Sequence, residues 1–152
     1  MDGKRDKFTL EPIGIIHTPF HDPQKMPIQF SRSNEVGEII LLPNFVAGLE
    51  GIEEFSHIIL LYVFHEAEQY QLQVKPLLHD QETGIFTCRH PCRPNYLGLS
   101  VVKLLNRKDG RLTIRGVDML DGTPLVDIKP YVSDFDQQEN VHTGWYEHRA
   151  HP

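Results

Sequence analysis

Arg89, His90, Cys92 and Arg93 share one short segment, residues 89–95, which two prolines interrupt. Each guanidinium is a planar fork of hydrogen-bond donors that matches a carboxylate or a phosphate. The prolines restrict the unfolded conformations of the segment, so less entropy is lost when its side chains are held in one arrangement. This arginine loop, as we call residues 89–95, therefore predicts a site for an anionic ligand. The alternative is a structural loop whose arginines pair with acidic residues elsewhere in the chain.

Metal and cysteine chemistry are alternatives for the same segment. Cys88 and Cys92 flank His90 in a C-x-H-x-C pattern, but these are the chain's two cysteines, and no C-x-x-C elsewhere completes a zinc site. His17 and His21 are four residues apart, but the proline between them breaks the helix that would present both on one face. The sequence therefore predicts no metal. Cys92 as a nucleophile stays open as a minor alternative, because only the neighbouring arginines would activate it.

A second polar segment, residues 118–124, ends a predicted strand and enters a turn. Asp121 and Thr123 can bond to their own backbone and Gly122 can adopt a positive φ, so a structural turn explains this pattern by itself. Loops at the ends of barrel strands are also where ligands bind. Both interpretations stay open from the residues alone.

Short β strands must position both segments. Their boundaries are predicted at residues 8–19, 37–42, 57–64, 84–87, 99–105, 111–119 and 125–128. The apolar run 58–63 is typical of a strand buried on both faces, and Asp109-Gly110 is a hairpin signal. Residues 45–55 can hold a helical turn. Because long amphipathic helices do not alternate with the strands, a doubly wound sheet is disfavoured and a small, mainly β barrel with short helical insertions is predicted.

Composition limits the function classes. The 152 residues suit one domain, and a net charge of −6 with a pI near 5.8 disfavours nucleic-acid binding through overall charge. Charge is nevertheless uneven along the chain. Residues 89–129 hold 8 basic and 4 acidic side chains, so this stretch can bind an anionic partner. No apolar run approaches the roughly 20 residues of a membrane helix, and the first seven residues lack the apolar region of a signal peptide. A cytoplasmic protein without membrane contact is expected.

Four segments, residues 12–20, 54–65, 84–102 and 116–131, resemble in order the TsaA-like (TrmO-type) family of S-adenosylmethionine-dependent methyltransferases. The resemblance covers about residues 8–132, which we expect to form the barrel domain, with residues 133–152 as a C-terminal tail. It implies a single-sheeted β-barrel that binds S-adenosylmethionine at or near a homodimer interface.

The resemblance also implies which residues bind the cofactor. Ile28 among them stands where the family has an arginine, which removes one cation from the site. The implied cofactor-binding residues are Pro27, Ile28, Gln29, His65, Glu66, Arg89, Leu99, Leu120, Asp121, Gly122 and Thr123.

The activity that the resemblance implies is methylation of N6 of threonylcarbamoyladenosine, beside the anticodon of a tRNA. As a hypothesis, Asp121 or His65 receives the proton of the methylated amine. Arg93 and Asn95 are the candidate contacts to the RNA substrate. The expected partners are tRNA and a second copy of the chain. The alternative is a non-catalytic module that binds S-adenosylmethionine or another nucleotide.

Overall fold

A computed structural model describes residues 6–26 and 33–149 of the chain. The strands that it contains there are β1 (Gly14–His17), β2 (Val36–Leu41), β3 (His57–Val63), β4 (Gln73–Val74), β5 (Thr83–Gly84), β6 (Leu97–Lys108), β7 (Arg111–Arg115) and β8 (Thr123–Pro130). The helical segments are the α-helix α1 (Ser133–Asp136) and 3₁₀ turns at Pro23–Lys25, Pro43–Leu49, Ile52–Glu54, Ile85–Thr87, Pro94–Tyr96 and Gly144–His148.

Six strands close into one antiparallel barrel in the order β1-β2-β7-β6-β3-β8, and β8 pairs back onto β1. Strands β4 and β5 form a separate two-stranded sheet within the β3–β6 connection. The predicted mainly β, single-sheeted barrel with short helical insertions is therefore confirmed. The strands predicted at residues 8–19 and 111–119 are shorter in the structure, those predicted at 99–105 and 125–128 are longer, and residues 85–87 form a 3₁₀ turn rather than a strand.

The barrel interior follows from strand alternation. Along β3, Ile58, Leu60 and Tyr62 point inward and are buried, while the residues between them are only half-buried. The expectation that this apolar run is buried on both faces is therefore wrong: one face fills the core and the other meets solvent. The remaining core is aliphatic, and it includes Ile16, Ile39, Leu41, Val102, Leu112, Ile114, Val117, Met119 and Leu125.

The two ends of the barrel differ in their connections. The connections β1–β2, β3–β6 and β7–β8 meet at one end, which we call the open end. At the other, the closed end, residues 42–56 cross the barrel mouth, and the Asp109-Gly110 turn joins β6 to β7 as predicted. Phe45, Val46 and Ile52 pack there against the core.

The last described segment returns to the open end. The Trp145 Nε1–H group donates to the carbonyl of Thr87 at 3.1 Å, and the Trp145 ring stacks on His79 at 4.8 Å between centroids. Trp145 also packs against a small core made by Val74, Ile85 and Cys88. The division of the chain at residue 132 stays a prediction. Within the described residues, no helix has the length and apolarity needed to cross a membrane.

Candidate functional site

A cleft of about 810 Å³ lies at the open end of the barrel. Its walls come from the 3₁₀ turn Pro23–Lys25, the turn after β3, the arginine loop, the start of β6 and residues 118–123. This volume falls in the range of about 300–1,000 Å³ that is usual for cofactor and small-ligand sites.

Most of the residues predicted from the sequence line this cleft. Asp121, Gly122 and Asn95 lie beside it without lining it, and Pro27, Ile28 and Gln29 lie outside the residues that the structure describes. The predicted residues that line the cleft are His65, Glu66, Arg89, Arg93, Leu99, Leu120 and Thr123.

The arginine loop is held in shape by its own hydrogen bonds. The Arg93 Nη1 group donates to the carbonyl of Cys88 at 2.7 Å, and the Cys92 N–H group donates to His90 Nδ1 at 3.1 Å. Because His90 Nδ1 is an acceptor, a neutral ring carries its proton on Nε2. Burial and then the nearby Arg93 charge lower the pKa of His90, which favours this neutral form. One arginine of the pair therefore braces the loop.

The guanidinium of Arg89, by contrast, is not used to hold the loop. Its side chain is exposed and lines the cleft, and it forms no hydrogen bond or ion pair with any residue of the described ranges 6–26 and 33–149. A guanidinium with unused donors in a concave site is a receptor for a carboxylate or a phosphate. The structure thus separates the two arginines into a brace and a free cation.

The cysteine next to the arginine loop bonds to the backbone. Cys88 is buried, and its Sγ group contacts the carbonyl of Ile85 at 3.4 Å. Among residues 6–26 and 33–149, no group of three or more histidine, cysteine or acidic side chains is arranged to hold an ion.

The turn 120–123 is fixed by backbone and hydroxyl bonds. Thr123 Oγ1 donates to the carbonyl of Leu120 at 2.6 Å, and the Gly122 N–H group donates to the carbonyl of Ile16 at 2.9 Å. Gly122 has a φ of +82°, which strains any residue with a side chain. The turn therefore presents Leu120 and Thr123 to the cleft from a rigid position.

Asp121 connects this turn to the β1–β2 connection. Its carboxylate accepts from the Thr18 N–H group at 3.0 Å and lies 3.1 Å from His17 Nδ1 and 3.7 Å from His21 Nδ1. Burial raises the pKa of Asp121, but the Thr18 hydrogen bond and the two histidines outweigh it and lower that pKa. A carboxylate held in this way is a weak base, and its role as a proton acceptor stays a prediction.

The structure also brings together three polar side chains that are not among the predicted site residues. Ser100 Oγ donates to Asp118 Oδ1 at 2.6 Å, and the Tyr62 hydroxyl lies 2.8 Å from Ser100 Oγ. Tyr62 and Asp118 both line the cleft. The signal in the sequence was Ser100, which takes an inward position of β6 between Gly98 and Val102 where an apolar residue is expected.

Gly98 makes this cluster possible. A Cβ atom at residue 98 would lie 2.6 Å from Tyr62 Cζ, so the aromatic ring occupies the space that any side chain would need. Enclosure by protein raises the pKa of Asp118 above its ordinary value, although the Ser100 bond and the charge of Arg89 act against that rise. The cleft floor thus carries a carboxylate with one oxygen held by a hydroxyl.

Comparisons with known proteins give the family of the chain. Residues 15–137 match the family described as the tRNA-methyltransferase O N-terminal domain. A protein of Pyrococcus abyssi named "Probable S-adenosyl-L-methionine-binding protein" is 53% identical over 141 residues, which cover 92% of this chain and 77% of that protein.

Longer relatives contain the same region as one part of their sequence. A mouse protein named "tRNA (adenine(37)-N6)-methyltransferase" is 44% identical over 92% of this chain, which spans 35% of the mouse protein. A crystal structure of TrmO from Pseudomonas aeruginosa superposes with a TM-score of 0.79 at 35% identity, and the match covers 96% of this chain and 64% of that one.

Proposed function

The chain belongs to the family of the tRNA-methyltransferase O N-terminal domain, and from that premise we propose that it is an S-adenosylmethionine-dependent methyltransferase acting on tRNA. The family membership confirms the resemblance that the four sequence segments carried. The single observation that carries the proposal is the cleft in which Arg89 keeps a free guanidinium beside apolar and acidic walls.

The residues of this cleft fit the three chemical parts of the cofactor. Arg89 would hold its carboxylate, because an arginine fork and a carboxylate bond in two places. Leu99 and Leu120 would flank the adenine ring with apolar surface, and Glu66 would accept from ribose hydroxyls or from the ammonium group. When bound, the cofactor supplies a methyl group on a positively charged sulfur.

The protein's own contribution to methyl transfer is positioning. Thr123 and Leu120 come from a turn that backbone bonds fix, and the arginine loop is braced by Arg93. When the protein holds the methyl donor and the acceptor in line, their translational and rotational entropy is already lost on binding. The activation free energy of methyl transfer is therefore lower. His65 lies exposed in the cleft wall, where we place it among the residues that face the incoming substrate.

We infer that the acceptor is N6 of threonylcarbamoyladenosine in tRNA. The support is that the mouse and human relatives are named tRNA (adenine(37)-N6)-methyltransferases. A protein that modifies tRNA would work where tRNA is made and used, which supports a cytoplasmic location.

The barrel wall offers two exposed cations for RNA phosphates. Lys103 on β6 lies directly opposite Arg115 on β7, and neither forms an ion pair with any described residue. Three other cations on this wall have acidic partners: Arg107 pairs with Glu53, Arg111 with Glu38 and Lys129 with Asp127. We expect Lys103→Gln and Arg115→Gln to weaken tRNA binding. Each substitution should also reduce the slope of log affinity against log salt concentration by about one, whereas Lys129→Gln should change little.

A homodimer is the second part of the proposal. The outward faces of β3 and β6 carry paired aliphatic residues, which we call the apolar strip: Ile59 with Val101, Leu61 with Leu99 and Val63 with Leu97. Strips of this kind on a small protein mark association surfaces, and a twofold dimer can use one strip on both subunits. Because Leu97 and Leu99 also line the cleft, a partner on the strip would reach the cleft edge.

The first experiment is calorimetric titration of the protein with S-adenosylmethionine. Arg89→Ala should lose about 10- to 100-fold in affinity, because a hydrogen-bonded charge pair is removed. Arg111→Ala is the matched control, since Arg111 is an exposed arginine far from the cleft. An Arg89→Ala affinity equal to wild type would contradict the proposed site.

The second experiment measures methyl transfer to tRNA with and without the threonylcarbamoyl group. Transfer to the modified tRNA alone supports the proposed acceptor. Cofactor binding without transfer to either tRNA would favour the alternative, a module that binds S-adenosylmethionine without catalysis.

Sedimentation equilibrium tests the dimer. Val101→Glu should dissociate it, because it places a charge in the apolar strip. Val36→Glu is the control, since Val36 on β2 is as exposed as Val101, at 45%, but lies outside the strip. A wild-type monomer, or equal behaviour of the two variants, would contradict the proposed interface.

A further inference from the structure

Three residues from distant parts of the chain form a continuous hydrogen-bonded path to the cleft. Tyr62 lies on β3, Ser100 on β6 and Asp118 just after β7. The two hydrogen bonds that join them measure 2.8 Å and 2.6 Å. Tyr62 and Ser100 are buried, whereas Asp118 is exposed through the cleft mouth and enclosed by protein on its other sides. The path therefore ends on a carboxylate that a ligand can reach.

The direction of each bond in this path can be assigned. Ser100 has one hydroxyl proton, and it donates that proton to Asp118 Oδ1. Tyr62 must then be the donor to Ser100, and burial, which raises the pKa of Tyr62, keeps its hydroxyl protonated. Both hydroxyls thus point their donors toward Asp118, which orients the carboxylate in one position.

Asp118 is a better placed proton acceptor than the two residues suggested by the sequence. The Asp121 carboxylate already accepts from Thr18 and does not line the cleft. His65 lines the cleft but has no hydrogen bond to another described residue that would orient its ring. A general base needs both access to the substrate and a partner that fixes its orientation, and Asp118 has both.

We propose that Asp118 is the catalytic base for methyl transfer to nitrogen, and that Ser100 and Tyr62 are positioning residues that hold its carboxylate. This inference rests on the proposed methyltransferase function. The exocyclic nitrogen forms its bond to the methyl carbon while the carbon–sulfur bond breaks, and that bonding pair stays on sulfur as a neutral thioether. The nitrogen keeps the electron pair of its N–H bond, and the proton passes to Asp118, which returns it to solvent through the cleft mouth.

The groups that face Asp118 set its behaviour with pH. They are Tyr62 from β3, Ser100 from β6 and the Arg89 guanidinium from the arginine loop. The reaction needs the ionised carboxylate, so turnover should fall as the pH drops through the pKa of Asp118. Removing the Ser100 donor destabilises the carboxylate and should move this fall to higher pH.

The decisive variant is Asp118→Asn, measured in single-turnover methyl transfer to tRNA together with calorimetric titration of the cofactor. We expect turnover to fall by about 10²- to 10⁴-fold, the usual contribution of a positioned base, with cofactor affinity within about threefold of wild type. Asp127→Asn is the matched control, because Asp127 is a partly exposed carboxylate on the barrel wall. Asp118→Glu, which keeps the charge but moves it by one methylene, should retain part of the activity.

Carboxyl-carbon NMR titration of the cofactor-free protein gives a readout that does not depend on activity. Ser100→Ala should raise the pKa of Asp118 and shift the acid limb of the pH profile by the same amount, and Tyr62→Phe should do so more weakly. A merely structural serine would lower stability without this paired shift.

Each other outcome overturns the inference in a recognisable way. Wild-type protein that transfers no methyl group would refute the proposed function and this inference with it. An active wild type with an equally active Asp118→Asn variant would refute this inference alone. A folded Asp118→Asn variant whose cofactor affinity falls more than tenfold would make Asp118 a cofactor ligand instead.

Discussion

The two ends of the barrel differ in how one arginine at each end is bonded. At the closed end Arg107 donates both to Glu53 at 2.9 Å and to the carbonyl of Leu49 at 3.0 Å. At the open end Arg89 and Asp118 face the cleft, and Arg89 forms no hydrogen bond or ion pair within the described part of the chain. A binding site needs hydrogen-bonding groups that the protein itself does not use, whereas in a buried core almost all such groups are bonded within the protein.

The apolar residues follow the same division. At the closed end Phe45, Leu49 and Ile52 pack into the barrel mouth, and a shallow depression of about 340 Å³ remains between Leu49, Ile52 and Phe55. At the open end the cleft is more than twice as large, and apolar side chains such as Leu99 stay exposed. The comparison suggests that the closed end supplies stability and the open end supplies binding, and single substitutions can separate the two.

The largest expected effect is at the closed end. Leu49 is 3% exposed and fills the mouth of the barrel, so Leu49→Ala should lower the free energy of unfolding by about 2–5 kcal/mol. Urea denaturation measures this loss. Calorimetric titration of the folded variant with S-adenosylmethionine should give an unchanged affinity. Leu42→Ala, at an exposed position of the same end, is the control with an effect within about 0.5 kcal/mol. Loss of cofactor affinity in folded Leu49→Ala protein would break the division between the two ends.

Gly98→Ala tests whether packing at the open end also carries function. The added methyl group would lie 2.6 Å from Tyr62 Cζ, so we expect a loss of about 1–3 kcal/mol in the free energy of unfolding from overpacking. Unlike Leu49→Ala, this change displaces a residue of the cleft floor and should therefore lower turnover as well. Gly84→Ala is the control: no atom lies within 4 Å of its new methyl group, so stability and turnover should both stay unchanged. A destabilised Gly98→Ala variant with wild-type turnover would show that the cleft tolerates movement of Tyr62.

Asp121→Asn should have a smaller effect that depends on pH. Burial opposes ionisation of Asp121, but the Thr18 hydrogen bond and the neighbouring histidines lower its pKa in the folded protein. The stabilisation is therefore present above the unfolded carboxyl pKa, near 3.9, and is lost as the pH falls through the lower folded value.

We expect Asp121→Asn to unfold about 1 kcal/mol more easily than wild type at pH 7, because the charge-assisted hydrogen bond from the Thr18 N–H group becomes a weaker bond to a neutral amide oxygen. Denaturation at a series of pH values should show the two proteins converging in acid. A difference that persists unchanged below the folded pKa would mean that the charge of Asp121 contributes nothing. Turnover close to wild type at pH 7 would exclude Asp121 as the proton acceptor.

The sequence predicted the barrel because its strands and turns carry local signals. The Asp109-Gly110 turn and the alternation of Leu112 and Ile114 on β7 follow directly from residue types. The apolar run of β3 was harder to interpret, because its outward aliphatic residues belong to the apolar strip rather than to a second buried face. Local pattern fixes which residues form a strand but not what covers each face.

The site was predictable only where its residues lie together in a motif. Arg89, Leu99 and Thr123 came from two continuous segments, and the structure brings them to one cleft. The sequence places Asp118 at the start of a predicted turn. Its hydrogen bond with Ser100 depends on how β6 and β7 are placed in the closed barrel. No spacing along the chain encodes that contact, so the floor of the cleft required the fold.

The smallest expected effect concerns the paired charges at the closed end. Arg111 donates to Glu38 across β2 and β7 at 2.7 Å, and both side chains reach solvent. Exposed ion pairs contribute about 0–1 kcal/mol, so Arg111→Gln should lower the free energy of unfolding by less than about 1 kcal/mol, and less still in high salt. Denaturation of Arg111→Gln, Glu38→Gln and the double variant isolates the pair. Because this pair lies away from the cleft, its loss should leave cofactor affinity unchanged. Arg89→Ala removes an arginine that forms no ion pair, so it should change the free energy of unfolding little and weaken cofactor binding strongly.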